Sequence, residues 1–309
     1  MKLLVTGGAG FLGSHLCEAL LKKGEEVYCL DNLLTGHEKN IAHLKRNKKF
    51  HFINHDVTQP LSSNLIVDQI YHLASPASPP KYQQLSIETL MANSLGTYQV
   101  LELARKDKAK FLLASTSEVY GNPTQHPQKE TYWGDVNPIG LRACYDEGKR
   151  FAEAITMEYV RKFNLDARIV RIFNTYGEKM DKDDGRVVTN FINQALSGKP
   201  LTIYGSGRQT RSFCYVSDLV AGLVKAMETL NTKGEVFNLG NPKEYTILEI
   251  AKIIKEMVGV KDKIAFLPLP QDDPEKRRPD ITKARQKLGW EPSVTLEEGL
   301  KKTIAYFRK

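Results

Sequence analysis

The chain has 309 residues, 41% of them hydrophobic and 26% charged, which is enough to bury one large core or two packed lobes. Its net charge is +8, but the basic side chains form no dense block interleaved with aromatics, which argues against nucleic acid as a partner. No apolar run approaches the roughly 20 residues of a membrane helix. The four cysteines, Cys17, Cys29, Cys144 and Cys214, lack metal-type spacing, so reduced cytoplasmic thiols are expected and a metal site is not.

"MKLLVTGG" runs from a short strand (2–6) directly into a glycine turn, which leaves no targeting segment to remove. "FLGSHLCEALLKKG" (11–24) has helical periodicity and stops on Gly24. Strands follow at "EVYCLD" (26–31), "FHFIN" (50–54) and "QIYHLA" (69–74). A long helical pattern covers about 86–106, then a strand at "KFLLAST" (110–116), a helix over 142–163 and a strand at "ARIVRIFN" (167–174). Strands apolar on both faces, alternating with helices, predict an α/β fold: a doubly wound parallel sheet of the Rossmann type. Beyond about 175 the rhythm loosens, with glycine and proline in "GKPLTIYGSGRQTRSF" (198–213) and helical patterns at 217–230, 246–258 and 295–307. The expectation is a first domain over 1–175 and a smaller lobe over 176–309, with segments around 209–240 returning to the first.

The turn after the first strand reads "TGGAGFLGSHL" (6–16). Gly8, Gly10 and Gly13 fit G-x-G-x-x-G, and Gly7, Gly10 and Gly13 fit a three-residue spacing. Glycine suits a tight turn against which a pyrophosphate lies, and the helix opening at Phe11 and Leu12 aims its N–H groups at the phosphates. Asp31 ends the second strand, where a carboxylate accepts both ribose hydroxyls of NAD and repels the 2′-phosphate of NADP. Asn32, Thr35 and Gly36 follow it, Asp56 and Val57 follow the third strand, and Leu73 lies near the end of the fourth; all are cofactor-side candidates. NAD is the expected cofactor of a dinucleotide-binding domain.

Tyr145 stands four residues before Lys149 in "CYDEGKR" (144–150), so the two share a helix face. A free tyrosine titrates at about 10, and a nearby ammonium is expected to lower that value and make the phenol a usable base. "STSEVYG" (115–121) ends the fifth strand at the carboxyl edge of the sheet. There the Thr116 hydroxyl is placed to hold the oxygen that Tyr145 deprotonates.

The glycine turn, "STSEVYG" and the Tyr-Asp-Glu-Gly-Lys run together resemble the extended short-chain dehydrogenase/reductases, which act on nucleotide sugars by transient oxidation at C4 with bound NAD. "YHLASPASPP" (71–80), "LLASTSEVYG" (112–121), "NPIGLRACYDEGKR" (137–150), "DGRVVTNF" (184–191), "GSGRQTRSFCYVSDLV" (205–220) and "QDDPEKRRPD" (271–280) resemble, in order along the whole chain, the branch of that family that decarboxylates UDP-glucuronate. The resemblance implies Tyr145 as acid–base, Lys149 as its partner and as a contact to the nicotinamide ribose, and Thr116 on the 4-hydroxyl. It implies Glu118 and Arg277 as the residues that mark the decarboxylating branch. Asn174, Arg186 and Arg211 would hold the nucleotide diphosphate, guanidinium forks being suited to phosphate. Tyr82, Tyr204 and Gln209 are further substrate-side candidates, and a homodimer through the helices at 86–106 and 142–163 is implied.

One departure stands in the stretch matching 88–91, where members of the family carry lysines and this chain has Glu88 and Met91. Three rivals stay open. A sugar dehydratase resembles Thr-Asp-Glu at the end of strand five, and here the middle residue is Ser117, which cannot be that acid. A 4-epimerase needs the same tyrosine and lysine. A non-catalytic NAD-binding regulator would be expected to have lost one of them.

Overall fold

Successive residues of the first strand point into opposite cores. β1 (Lys2–Thr6) sends Leu3 and Val5 into one buried layer and Leu4 into another, the period-two alternation of a strand covered on both faces. The computed structural model describes residues 1–62, 64–261, 263–269 and 276–309. After β1 come α1 (Phe11–Lys22), β2 (Glu26–Asp31), β3 (Phe50–Asn54) and β4 (Gln69–His72). Two short helices, α2 (Pro79–Gln84) and α3 (Ser86–Met91), lead through a π turn at Ala92–Gly96 into α4 (Thr97–Asp107). β5 (Lys110–Thr116), α5 (Ala143–Phe163) and β6 (Ala167–Ile172) continue the alternation.

Seven strands form the central sheet in the order Val236–Leu239, β6, β5, β4, β1, β2, β3, and every pairing is parallel. α6 (Val187–Leu196) and α7 (Val216–Glu228) follow β6. Leu16 and Leu20 of α1 share one buried layer with Leu219 and Leu223 of α7. Val100 and Leu101 of α4 share the other with Ala152 and Tyr159 of α5. The strand order reverses between β1 and β4, and in such sheets a crevice opens at the carboxyl ends of the strands.

Beyond β6 the smaller sheets gather. Leu201–Tyr204 pairs in parallel with Ile264–Leu267, and Thr210–Ser212 lies between antiparallel Glu244–Thr246 and parallel Lys276–Arg277. α8 (Ile247–Val258) and α9 (Leu296–Phe307) each start on a capping box, Thr246 with Glu249 and Thr295 with Glu298. The chain revisits the first sheet through α7 and Val236–Leu239. Of the string at 271–280, residues 271–275 lie outside the described residues.

Two local features depart from the sequence reading. The pattern over 86–106 is not one regular helix, because the π turn inserts a wide turn between α3 and α4. That turn brings Gly96 against the loop after β3; a Cβ there would lie 2.8 Å from Val57 Cγ2. α2 goes unread because Pro79 and Pro80 suggest a loop, yet proline at the first helical positions suits a helix start. Among the described residues no helix is long and apolar enough to cross a membrane.

The C-terminal segment is tied to α7 by one carboxylate. Asp218 accepts from the backbone N–H groups of Ser293 and Val294 at 2.9 and 2.8 Å and from the Ser293 hydroxyl at 3.0 Å. The Trp290 indole donates to the Asp218 carbonyl at 2.9 Å. Asp218→Ala leaves two backbone donors unpaired, and we expect urea denaturation to show a loss of about 2–4 kcal/mol with an unchanged m-value.

Candidate active site

The crevice at the sheet's carboxyl edge has a volume of roughly 890 Å³ and is walled by residues on both sides of Thr175 in the chain. The cofactor, substrate and acid–base candidates singled out in the sequence, from Gly7 to Arg277, line it, with the exception of Gly8.

Its inner end is built from glycine. Gly7 has φ +68°, and a Cβ there would fall 2.9 Å from Ala74 N; a Cβ on Gly13 would fall 2.1 Å from the Gly7 carbonyl oxygen. The turn is therefore closed to any side chain, and α1 starts directly behind it with no side chain capping its first N–H groups. Those free donors and the positive end of α1 suit a phosphate. Asp31 accepts from Ala9 N at 2.9 Å through Oδ2 and from Leu33 N at 2.8 Å through Oδ1. Each oxygen keeps a further lone pair for a hydroxyl. Gly36 leaves the space over that carboxylate open, since a Cβ would lie 2.9 Å from both oxygens. Burial raises the Asp31 pKa, and the backbone donors oppose it. Asp56 accepts from Asn32 Nδ2 at 3.0 Å, which joins the loops after β2 and β3. The residues present fit a dinucleotide lying across this edge.

Tyr145 and Lys149 stand on α5, both buried. The Tyr145 ring stacks on Tyr82 with centroids 4.9 Å apart and planes 2° from parallel. The Thr116 hydroxyl acts on the phenol in the sense that favours its ionisation. Lys149 Nζ donates to the Ala114 carbonyl at 2.9 Å and stands 5.9 Å from the centre of the Tyr145 ring. The expectation that the ammonium lowers the tyrosine pKa is corrected. Burial pushes the phenol up to about 12, and the Glu118 and Asp146 carboxylates add to the rise against Thr116 and Arg186. Burial also draws the Lys149 ammonium down to about 8, against the charge of Glu153.

Glu118 lies in the short helix Ser117–Tyr120 after β5, where Thr116 Oγ1 accepts its N–H at 3.2 Å. Arg277 reaches it from the small three-stranded sheet, Nη1 donating to Glu118 Oε1 at 2.8 Å and to Ser117 Oγ at 2.9 Å. Arg142, at the entry to α5, pairs with the other Glu118 oxygen and lies over the Tyr82 ring, 5.9 Å from its centre. Burial opposes ionisation of Glu118, but Arg277 and Arg142 hold its carboxyl down at about 2. Arg142 and Asp146 were not singled out by the sequence. Both lie inside "NPIGLRACYDEGKR", and the signal that would have found them is their helical spacing of four on a run already marked by Tyr145.

The outer wall carries the remaining candidates. Arg186 is chelated by Asp184, with Nη2 at 2.7 Å from Oδ2. Arg211 donates to its neighbour's carbonyl at 2.9 Å and lies in register with Arg277. The Gln209 amide donates to Tyr204 O at 2.6 Å, and Asn174 accepts from Cys214 N at 2.9 Å through its backbone. Glu88 and Met91 also face the crevice.

The family described as GDP-mannose 4,6 dehydratase matches residues 4–303. The chain is 57% identical over 308 residues to UDP-glucuronic acid decarboxylase 1 of Danio rerio, covering 100% of this chain and 73% of the relative. Against UDP-glucuronic acid decarboxylase 1 of Arabidopsis thaliana it is 54% identical, covering 100% and 70%. Among solved structures, a UDP-glucuronic acid 4-epimerase from Bacillus cereus in complex with UDP-glucuronic acid and NAD superposes with a TM-score of 0.89 at 35% identity, covering 99% of this chain and 98% of that one.

The glycine cradle gives a direct test. A methyl group on residue 13 cannot coexist with the Gly7 carbonyl, so in Gly13→Ala the turn must open. Titration calorimetry with NAD is expected to show affinity reduced by more than about tenfold, which is more than about 1.4 kcal/mol.

Proposed function

We propose, for a chain that belongs to the GDP-mannose 4,6 dehydratase family and within it to the UDP-glucuronic acid decarboxylases, the conversion of UDP-glucuronate to UDP-xylose and CO2 with NAD regenerated in each turnover. The observation that carries this reading is the Glu118–Arg277 pair beside Tyr145, in a chain whose full length matches the decarboxylases more closely than the epimerase.

Bound NAD supplies the hydride acceptor and donor for C4 of the sugar. Gly7, Gly10, Phe11, Leu12 and Gly13 hold its pyrophosphate; Asp31, with Asn32, Thr35 and Gly36, holds the adenosine ribose; Asp56, Val57 and Leu73 flank the base. Thr116 orients the 4-hydroxyl and Tyr145 takes its proton, while Lys149 offers an ammonium to the phenolate and to the second ribose. With C4 a ketone, the C6 carboxylate is β to a carbonyl. Its bond to C5 breaks with the electron pair delocalised into the carbonyl, CO2 leaves, and the enolate takes a proton at C5. Glu118, Ser117 and Arg277 form the wall beside this centre. Asn174, Arg186 and Arg211 hold the diphosphate, Arg186 exchanging Asp184 for phosphate, and Tyr82, Tyr204 and Gln209 complete the substrate side. These contacts keep the ketone bound until C4 is reduced again.

The assembly we propose is a homodimer in the cytoplasm. Exposed Met91, Tyr98, Phe151 and Phe163, on α3, α4 and α5, support the first part. Four buried, free thiols support the second.

Incubation with UDP-glucuronate and catalytic NAD, read by NMR and mass spectrometry, is expected to yield UDP-xylose and CO2 with no net NADH. UDP-galacturonate as product, equal in mass to the substrate, would make the protein a 4-epimerase instead. Tyr145→Phe is expected to keep fold and NAD affinity while kcat falls by about three orders of magnitude or more; near-normal turnover would remove Tyr145 from the proton transfer.

A further inference from the structure

Between Tyr176 and α6 the chain runs irregularly over 177–186 and touches, in turn, the segments that follow β1, β2 and β4. Its first residues lie on α1. A Cβ on Gly177 would stand 3.6 Å from Phe11 Cε2, the His15 imidazole is hydrogen-bonded to the Glu178 carbonyl at 2.9 Å, and Lys179 pairs with Glu18 at 3.2 Å. Its middle meets the loop after β2, where His37 Nε2 stands 3.1 Å from Asp181 Oδ2. His37 is itself tied to the glycine turn, its N–H donating to the Ala9 carbonyl at 3.0 Å. The far end lies on α2: Gly185 has φ +83°, and a Cβ there would fall 2.5 Å from Pro80 Cγ. His37 and Asp181 line the same crevice as Gly10 and Asp31.

The segment is held unevenly. Toward α6 it is anchored, with Met180 buried and the Asn190 and Asn193 amides donating to the Gly185 and Lys182 carbonyls at 2.9 and 3.0 Å. Toward the cofactor side its ion pairs, Lys179–Glu18 and His37–Asp181, are single contacts between part-exposed side chains, and such pairs hold weakly. Burial opposes ionisation of Asp181, but the His37 bond, the Asp183 N–H and the charges of His37 and Lys81 hold its pKa below the ordinary value. Asp181 being ionised, the bond requires a proton on His37 Nε2.

We propose that segment 177–186 is a strap that keeps the dinucleotide in the crevice through each turnover, with His37 and Asp181 as the positioning residues that latch it. This rests on the functional reading above, in which NADH formed at the first hydride transfer stays bound until C4 is reduced again. Links that are individually weak suit a strap that opens for cofactor exchange and stays shut during the shorter chemical cycle. Neither latch residue touches the reacting atoms in that reading, so the strap acts on retention of the cofactor and not on the proton transfer.

Release of NADH from the holoenzyme, followed by stopped-flow fluorescence after mixing with excess NAD and with no sugar present, tests the proposal. His37→Ala and Asp181→Ala are each expected to speed release about two- to fivefold, the range that one exposed pair supports. The double variant should be no faster than the faster single one, because both changes remove the same link. His37→Gln, which retains an N–H donor, should release NADH at close to the wild-type rate. The melting temperature of the cofactor-free protein should be the same in all of them. An unchanged release rate in both single Ala variants overturns the proposal and leaves the decarboxylase reading intact. Faster release accompanied by a lower melting temperature of the cofactor-free protein overturns it too, since that is general loosening. In turnover with UDP-glucuronate the Ala variants should lose activity as NADH and a 4-keto pentose escape together, and added NAD should restore it. No consumption of UDP-glucuronate by wild type overturns the functional reading, while the NADH release rates still decide whether the latch retains the dinucleotide.

Discussion

Arg277 is buried to 1% exposure and gives its guanidinium to Ser117 Oγ, Glu118 Oε1 and the Gly121 carbonyl, all within 2.9 Å. It stands on a two-residue strand, Lys276–Arg277, held in the small three-stranded sheet by pairing with Thr210–Ser212 and by the Ser212 hydroxyl on its carbonyl. The small sheet is thus joined to the end of β5 through the carboxylate that faces the crevice. A guanidinium taken out of water needs its partner: removing one member of such a pair typically costs about 3–5 kcal/mol. Glu118 therefore has a structural duty alongside its place in the wall. Changes there loosen the joint as well as the chemistry, and kinetic effects of Glu118 variants need a stability measurement beside them.

The same burial governs Tyr145 and Lys149. With the crevice closed off behind Tyr82 and the sheet, both groups are pushed toward their neutral forms, the phenol up and the ammonium down. The Lys149 ammonium spends a hydrogen bond on the Ala114 carbonyl, which fixes its position at the end of β5. Placement is supplied by the fold; the charge separation needed for proton transfer is not stored in the free protein. Catalytic hydrogen bonds that are long or indirect without ligand commonly tighten in the complex.

Much of this was legible in the chain. The parallel sheet follows from strands apolar on both faces, and the phosphate turn from glycines between a strand and a helix. The acid at Asp31 follows from its place at the end of β2. What stayed hidden depended on contacts between distant segments. A return of segments around 209–240 to the first domain is expected from the sequence, but nothing in it marks Val236–Leu239 as the strand that joins the sheet, because any short apolar run would read the same. The π turn leaves no trace in hydrophobic periodicity, since it shifts the helix by a single residue. Arg142 reads as an ordinary helix-entry cation until Glu118 is brought against it. The tyrosine pKa is not legible in the chain, because spacing reports that a lysine is near, and burial, which outweighs it, is a property of the whole fold.

The seventh strand has a consequence for biosynthesis. β6 pairs with β5 on one side and with Val236–Leu239 on the other. On the ribosome the first six strands can assemble while the partner of β6 is still being made. Until Leu239 has emerged, the nascent sheet ends in an open edge bordered by apolar residues, the kind of surface that pairs with other chains. Because the contacts that close it span long stretches of sequence, closure is slow relative to local helix formation. The half-made molecule is the aggregation-prone species, and translation speed across the segment between β6 and Val236 sets how long it lasts.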